Sequence, residues 1–226
     1  MKKKTNEPQN QPQYDEYVRQ GPIQFGPWTS ASFRLDPKRF LFRLARYKFC
    51  AKMLAGKSKV LELGCGDAPG VPIVLQTVES IHGIDIEPLV IEDNIIRFSK
   101  EKFLNVSFAV HDLFKEPLPE KFDAVYSLDV IEHIPSEIEE PLMQNLTRSL
   151  TPQAVCVIGT PNETSQAHAS LYSVAGHVNL KNGETLRILL EKYFHNVFIF
   201  SMNDEVVHTG FTAMAHYIFG MGAGLR

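Results

Sequence analysis

The sequence predicts an α/β fold, a mainly parallel sheet of seven strands with helices on both faces and an antiparallel last strand. Short apolar runs alternate with helical stretches from Lys59 onward, and the first run ends in closely spaced glycines. The segments between the first five runs mostly have room for crossover helices, which favours parallel pairing with covered faces. The last two runs are separated by Met202–Thr212 alone, a connection short enough to favour an antiparallel pair at one edge.

The elements follow in chain order. Residues 1–13 are rich in Lys, Asn, Gln and Pro and have no large apolar side chain after Met1, so they read as a disordered tail. Residues 14–56 read as an N-terminal cap. It begins with an irregular aromatic stretch (Tyr17, Phe25, Trp28) that packs down as a lid or as ordinary core. A helix follows, opened by Asp36-Pro37 and closed by Gly56. The helix carries apolar residues at helical spacing from Phe40 to Leu54. Residues 57–226 form the main domain. Its strands are expected at Lys59–Leu63, Ser80–Ile84, Val106–Val110, Phe122–Ser127, Ala154–Gly159, Val197–Ser201 and Ala213–Ile218, with a helix over Asn182–Tyr193.

Composition narrows the function. Of 226 residues, 44% are hydrophobic and 22% charged, ordinary values for a globular chain with a sizeable core. A net charge of -3 gives no general basic field, which argues against nucleic acid as a partner. Cys50, Cys65 and Cys156 are odd in number and widely spaced, against a disulfide framework or zinc cluster and for a reducing cytoplasm. No apolar run reaches the length of a membrane span.

The chemistry starts at Glu62-Leu63-Gly64-Cys65-Gly66-Asp67. A strand running into close glycines lets the backbone turn sharply and approach a ligand without Cβ interference. The spacing to Gly70 is one residue longer than the dinucleotide fingerprint. Asp85 ends the second strand near the offset of roughly 20 residues at which a carboxylate meets ribose hydroxyls. An isolated glycine pair would read equally well as a mere strand–helix turn or as a ligand loop. With Glu62, Asp67 and Asp85 it reads as a nucleotide site.

These segments resemble class I S-adenosylmethionine-dependent methyltransferases from about Val60 to the C-terminus. VLELGCGDAPG matches the family's first motif and HGIDIEP its second. Phe122–Ile134 resembles the fourth-strand motif of the branch that includes ubiquinone-biosynthesis O-methyltransferases. The resemblance implies a Rossmann-like sheet with a reversed last strand and S-adenosyl-L-methionine as cofactor. It places Gly64 and Gly66, with Cys65 between them, at the methionine part, whose amino group lies near Glu62. It gives Asp85 the ribose hydroxyls and Ile86 the flank of the adenine. Asp112 accepts from the adenine amino group, Leu113 touches the ring through its backbone, and Ser127 and Leu128 line the sulfonium side.

Methyl transfer from a sulfonium needs chiefly alignment, with a base where the acceptor carries a proton. Asp129, Glu132 and His133 stand at i, i+3 and i+4, one face of a helix if one begins after Leu128. His133 is the candidate base. The trio also suits a divalent metal, although no residue is assigned to one, and the plain alternative is a helix cap with local hydrogen bonds. His177, in a Gly-His-hydrophobic segment before the next helix, is a second base or merely a brace. His168, Tyr172 and His208 are weaker candidates. Asn162, His177, Asn179 and His208 together suit a hydrophilic acceptor. The expected activity is therefore methyl transfer to oxygen or nitrogen of a small polar metabolite, such as a sugar or biosynthetic intermediate. The alternatives are an RNA or protein acceptor, a nicotinamide-dependent oxidoreductase, and a non-catalytic nucleotide-binding protein. The sequence leaves the oligomeric state open.

Overall fold

The computed structural model describes residues 3–101 and 103–226. Its centre is one eight-stranded sheet: β1 Lys59–Leu63, β2 Ser80–Asp85, β3 Val106–Val110, β4 Phe122–Leu128, β5 Leu150–Pro161, β6 Phe194–Asn203, β7 Val206–His208 and β8 Tyr217–Leu225, in the spatial order β3-β2-β1-β4-β5-β8-β6-β7. The five strands from β3 to β5 pair in parallel. β8 is antiparallel to both β5 and β6, and β7 is antiparallel to β6. The sheet is thus mainly parallel with a reversed last strand, as expected, but has eight strands rather than seven.

The reversed strand is not at the edge. β8 inserts between β5 and β6, and the edge is the short β6–β7 hairpin. It also begins at Tyr217, later than the expected Ala213, and Thr212–Met214 is one 3-10 turn. Gly220, Gly222 and Gly224 lie inside β8, although glycine weakens a strand. At the first two, the missing side chain lets neighbours close in. A Cβ on Gly220 would stand 2.4 Å from Leu190, and one on Gly222 2.5 Å from Phe194. Leu190 belongs to helix α8, Gly183–Glu191, which follows the short α7 (Leu171–Gly176) and is opened by a capping box in which Asn182 accepts from Glu184 N and Thr185 N.

Alternation along the strands divides the core. Val125 and Ile158 face one cluster, covered by Leu142, Met143 and Leu146 of helix α6 (Ser136–Arg148) and by α8. Ala124, Tyr126 and Val157 face the other. That face is covered by helix α3 (Pro37–Met53), the short α4 (Val71–Val74) and α5 (Pro88–Lys100). Asp36 caps α3 by accepting from Lys38 N at 3.2 Å, and Gly56 follows it at φ +81.

The N-terminal region is more regular than the sequence suggests. Helix α1 spans Gln11–Gln20 and α2 spans Pro27–Leu35, where a tail and an irregular segment are expected. No residue of α1 is buried, so its polar composition is that of a solvated helix. All three cysteines are buried and unpaired. Among the described residues, no helix is long and apolar enough to cross a membrane.

Candidate active site

The carboxyl ends of β1, β2, β3, β4 and β5 lie on one side of the sheet, the side on which open α/β sheets bind ligands. After β1 the chain turns through Gly64 at φ +71 and Gly66 at φ +51, left-handed conformations that disfavour any side chain. Gly64 N and Cys65 N both donate to Ile84 O, at 2.9 and 3.0 Å, stapling the turn to β2. Asp85 Oδ2 accepts from Gly66 N at 2.9 Å and Oδ1 accepts from Glu87 N at 3.0 Å. Each oxygen keeps a lone pair for a ligand. From α5, Asn94 Nδ2 donates to Gly66 O at 2.7 Å and Arg97 Nη2 to Asp67 O at 2.7 Å. The loop is therefore held before any ligand arrives.

The N-terminal cap closes on this loop. Thr29 is fully buried, its N–H and hydroxyl donating to the two oxygens of Asp67 at 2.6 and 2.8 Å. Asp67 thereby fixes the start of α2, a role its place in the glycine motif does not reveal. The ring of Trp28 then sits over Gly66, where a Cβ would be 3.1 Å away. Trp28 is a wall of the site rather than plain packing.

Beneath that wall is a cavity of about 470 Å³ whose lining includes Gly64, Asp85, Ile86, Leu113, Trp28 and His133. Four of the expected cofactor residues, Gly64, Asp85, Ile86 and Leu113, thus come together. The other six stand outside the lining. Cys65 is buried against the sheet, its thiol pushed far up by burial. Gly66 is roofed by Trp28. Ser127 donates to Leu63 O at 3.0 Å, and Leu128 packs in the core. Asp112 pairs with Lys115 at 3.0 Å and accepts from Phe114 N, and this pairing holds its carboxyl below the usual range. Glu62 is buried behind the loop. Burial pushes its carboxyl up to about 8, against the pull of the Tyr126 and Tyr47 hydroxyls, and Oε2 has no hydrogen-bond partner.

A second cavity, of about 690 Å³, adjoins the first, and Asp129 and His133 line both. Here the shared helical face expected for Asp129, Glu132 and His133 does not exist. Asp129 is left-handed, at φ 58, and only one 3-10 turn, Ile131–His133, follows it. Asp129 is therefore taken up by Arg46, while Glu132 and His133 stay close to each other. Asp129 accepts from Arg46 Nη1 at 2.9 and 2.6 Å. Arg46 in turn stacks on Tyr217, 3.8 Å from the ring centre. Glu132 is fully buried and accepts from Thr160 at 3.0 Å. Burial, reinforced by the Asp129 charge, pushes its carboxyl up to about 8.

His133 turns to His177, ring centres 5.1 Å apart. Its Nδ1 lies 2.9 Å from Gly176 O. A carbonyl only accepts, so Nδ1 carries the proton and Nε2 keeps its lone pair, the tautomer a general base needs. Burial, then the neighbouring His133, lowers the pKa of His177, which favours its neutral form. Ligand atoms of Glu132, His133 and His177 lie within 4.8 Å of one another. The cluster that could hold a cation thus includes His177 in place of Asp129.

Other acceptor candidates fall away. His208 lies 2.9 Å from Asn203 Oδ1 and accepts from Gly210 N, bracing the β6–β7 hairpin. Asn162 donates to Thr212 O and Ala215 O from a buried position, and Asn179 joins Glu139 and Lys181. None of the three lines either cavity. His168 does line the second cavity; the side chain of Tyr172 is outside the described ones. What the sequence reading misses is the wall formed by Lys38, Arg39, Arg43 and Arg46 of α3. Its signal was present: Arg39, Arg43 and Arg46 repeat at i, i+4 and i+7 on a predicted helix.

Comparison with known proteins gives the following. The model of a family described as a methyltransferase domain matches residues 54–201. Ubiquinone biosynthesis O-methyltransferase of Rickettsia bellii is 25% identical over 111 residues, 49% of this chain and 45% of that one. The mitochondrial ubiquinone biosynthesis O-methyltransferase of Schizosaccharomyces pombe is 27% identical over 149 residues, 65% of this chain and 51% of that one. The matches thus span about half the length of these relatives. Among solved structures, the N-methyltransferase NodS of Bradyrhizobium japonicum, in complex with S-adenosyl-L-homocysteine, superposes with a TM-score of 0.60. It is 19% identical, over 93% of this chain and 97% of that one.

Proposed function

This chain belongs to the class I S-adenosylmethionine-dependent methyltransferases, and from that premise we propose that it methylates an oxygen or nitrogen of a small polar acceptor held in the second cavity. The observation that carries this reading is the pair of adjoining cavities that share Asp129 and His133. One suits the cofactor and the other is free for an acceptor.

The residues of the first cavity fit S-adenosylmethionine, in line with the S-adenosyl-L-homocysteine bound by the NodS neighbour. Ile86 and Leu113 offer an apolar berth for the adenine, and Asp85 keeps acceptor capacity for ribose hydroxyls. The orphaned Glu62 Oε2 lies behind the glycine turn, the part assigned to the methionine end. When bound, the cofactor supplies a methyl group on a sulfonium, electrophilic enough that the protein's task is alignment and proton removal. Arg46 fixes Asp129 at the opening between the cavities. His133, oriented by Gly176 O, would take the acceptor's proton at Nε2.

A second reading places a divalent cation on Glu132, His133 and His177. It is favoured by two buried atoms without partners, Glu132 Oε1 and His177 Nδ1. Dialysis against a chelator separates the two, since base catalysis alone survives it. The three unpaired cysteines suit a reducing cytoplasm as the setting. For the main reading the test is calorimetry with S-adenosylhomocysteine and NAD. Binding of the sulfur nucleotide, lost in Asp85→Ala, is expected. Binding of NAD alone would sink the reading.

A further inference from the structure

We propose that the acceptor is anionic, a small molecule whose phosphate or carboxylate group is held by Lys38, Arg39 and Arg43 on the α3 wall of the second cavity. This rests on the reading of that cavity as the acceptor's and adds the charge of its occupant.

Four cations line the cavity, all from α3. Arg46 is already neutralised by its two contacts to Asp129. Among the described residues, Arg39 pairs with Asp36 alone, at 3.7 Å and largely exposed. Arg43 is half-buried, and among the described residues neither its guanidinium nor the Lys38 ammonium meets a hydrogen-bond or ion-pair partner. Lys38 and Arg39 are exposed, so only Arg43 is drawn partly out of water; a cation there without a counter-charge favours an anion that restores it, with Lys38 and Arg39 within the same cavity lining.

The carboxylates that face the same space do not fill that role. Asp36 and Asp129 face Arg39 and Arg46, and Asp204 lies 4.0 Å from His216. Glu132 is fully buried and turned to the Thr160 hydroxyl, from which it accepts at 3.0 Å. Guanidinium forks match the paired oxygens of phosphate and carboxylate, which is the chemistry that would recognise this wall.

Size and surroundings favour a small ligand over a polyanion. The chain as a whole is acidic, at -3, so the cation excess is local to one wall. The remaining lining includes Asp129, Glu132, Asp204 and the histidines 133, 168 and 177, which do not continue a basic track for a nucleic-acid backbone.

The test is calorimetry of the full chain with saturating S-adenosylhomocysteine, titrating inorganic phosphate and acetate at ionic strength fixed with chloride. Binding of phosphate is expected, weakened at least tenfold in Arg43→Gln, largely retained in Arg43→Lys, and unchanged in Lys52→Gln, a control on the same helix. No binding of either anion beyond chloride, or equal binding in Arg43→Gln and the wild type, would overturn the proposal. A short single-stranded RNA that binds at least tenfold more tightly than phosphate and is lost in Arg43→Gln would overturn the small-molecule assignment. S-adenosylhomocysteine affinity is read in the same samples. Its failure alone would condemn the cofactor reading, while phosphate binding, measured without it, would still decide this one.

Discussion

Replacing Gly64 by alanine probes the turn on which the cofactor cavity is built. The backbone there cannot relax, because Gly64 N and Cys65 N share the carbonyl of Ile84. At φ +71 a side chain costs about 1–2 kcal/mol in conformational energy. Its Cβ would also lie 2.3 Å from Val130 Cγ2, so the valine must leave its rotamer, at a further cost of about 0.5–1.5 kcal/mol. The sum is about 1.5–3.5 kcal/mol, or a Tm lower by about 3–14 °C in a chain of this size. Val130 also lines the first cavity, so its displacement should weaken S-adenosylhomocysteine at least tenfold. Gly56→Ala is the matched control, with φ +81 and nothing within 4 Å of a new Cβ. It should carry the conformational cost alone and leave ligand affinity intact. Scanning calorimetry and titration on both variants measure this. If Gly64→Ala matched Gly56→Ala in both, the crowded turn would be refuted.

Three further outcomes are expected. Glu62 takes up its proton near pH 8 when folded but near 4.5 when unfolded, so the folded state binds more protons between these values and stability falls as pH rises through that window. Glu62→Gln should flatten the fall and be more stable than wild type at pH 8 by about 1–3 kcal/mol in urea denaturation; parallel curves would refute its burial as a neutral acid. His133→Ala should reduce turnover by roughly 10²–10⁴, with S-adenosylhomocysteine affinity within about threefold of wild type. Full activity in that variant would remove the base. Thr29→Val deletes a buried hydroxyl donor to Asp67 and should cost about 1–3 kcal/mol, with faster hydrogen exchange across residues 27–35. Unchanged exchange would show that the clasp does not hold α2.

The α/β alternation and the glycine turn were legible because both are local: strand β1 and strand β3 fall where the apolar runs place them. β8 was not, because the reason for its glycines lies in Leu190 and Phe194, distant in sequence. Asp85 and His133 could be named from motif position, yet Asp112 turns to Lys115 for a reason that depends on the local backbone. The i, i+3, i+4 pattern at Asp129 misled for a similar reason. A left-handed residue breaks the helix that the spacing presumes, and an arginine 83 residues away in sequence accounts for the side chain's direction. The basic face of α3 was visible as spacing, but only the fold shows that it borders the cavity opened by Asp129.

Two cavities meet at His133, and a crystal structure with S-adenosylhomocysteine tests that arrangement most directly. It should show the ribose hydroxyls on Asp85 and the sulfur at the opening lined by Asp129 and His133, facing the α3 cations. A sulfur pointing away from that opening, or a ribose bound elsewhere, would contradict it.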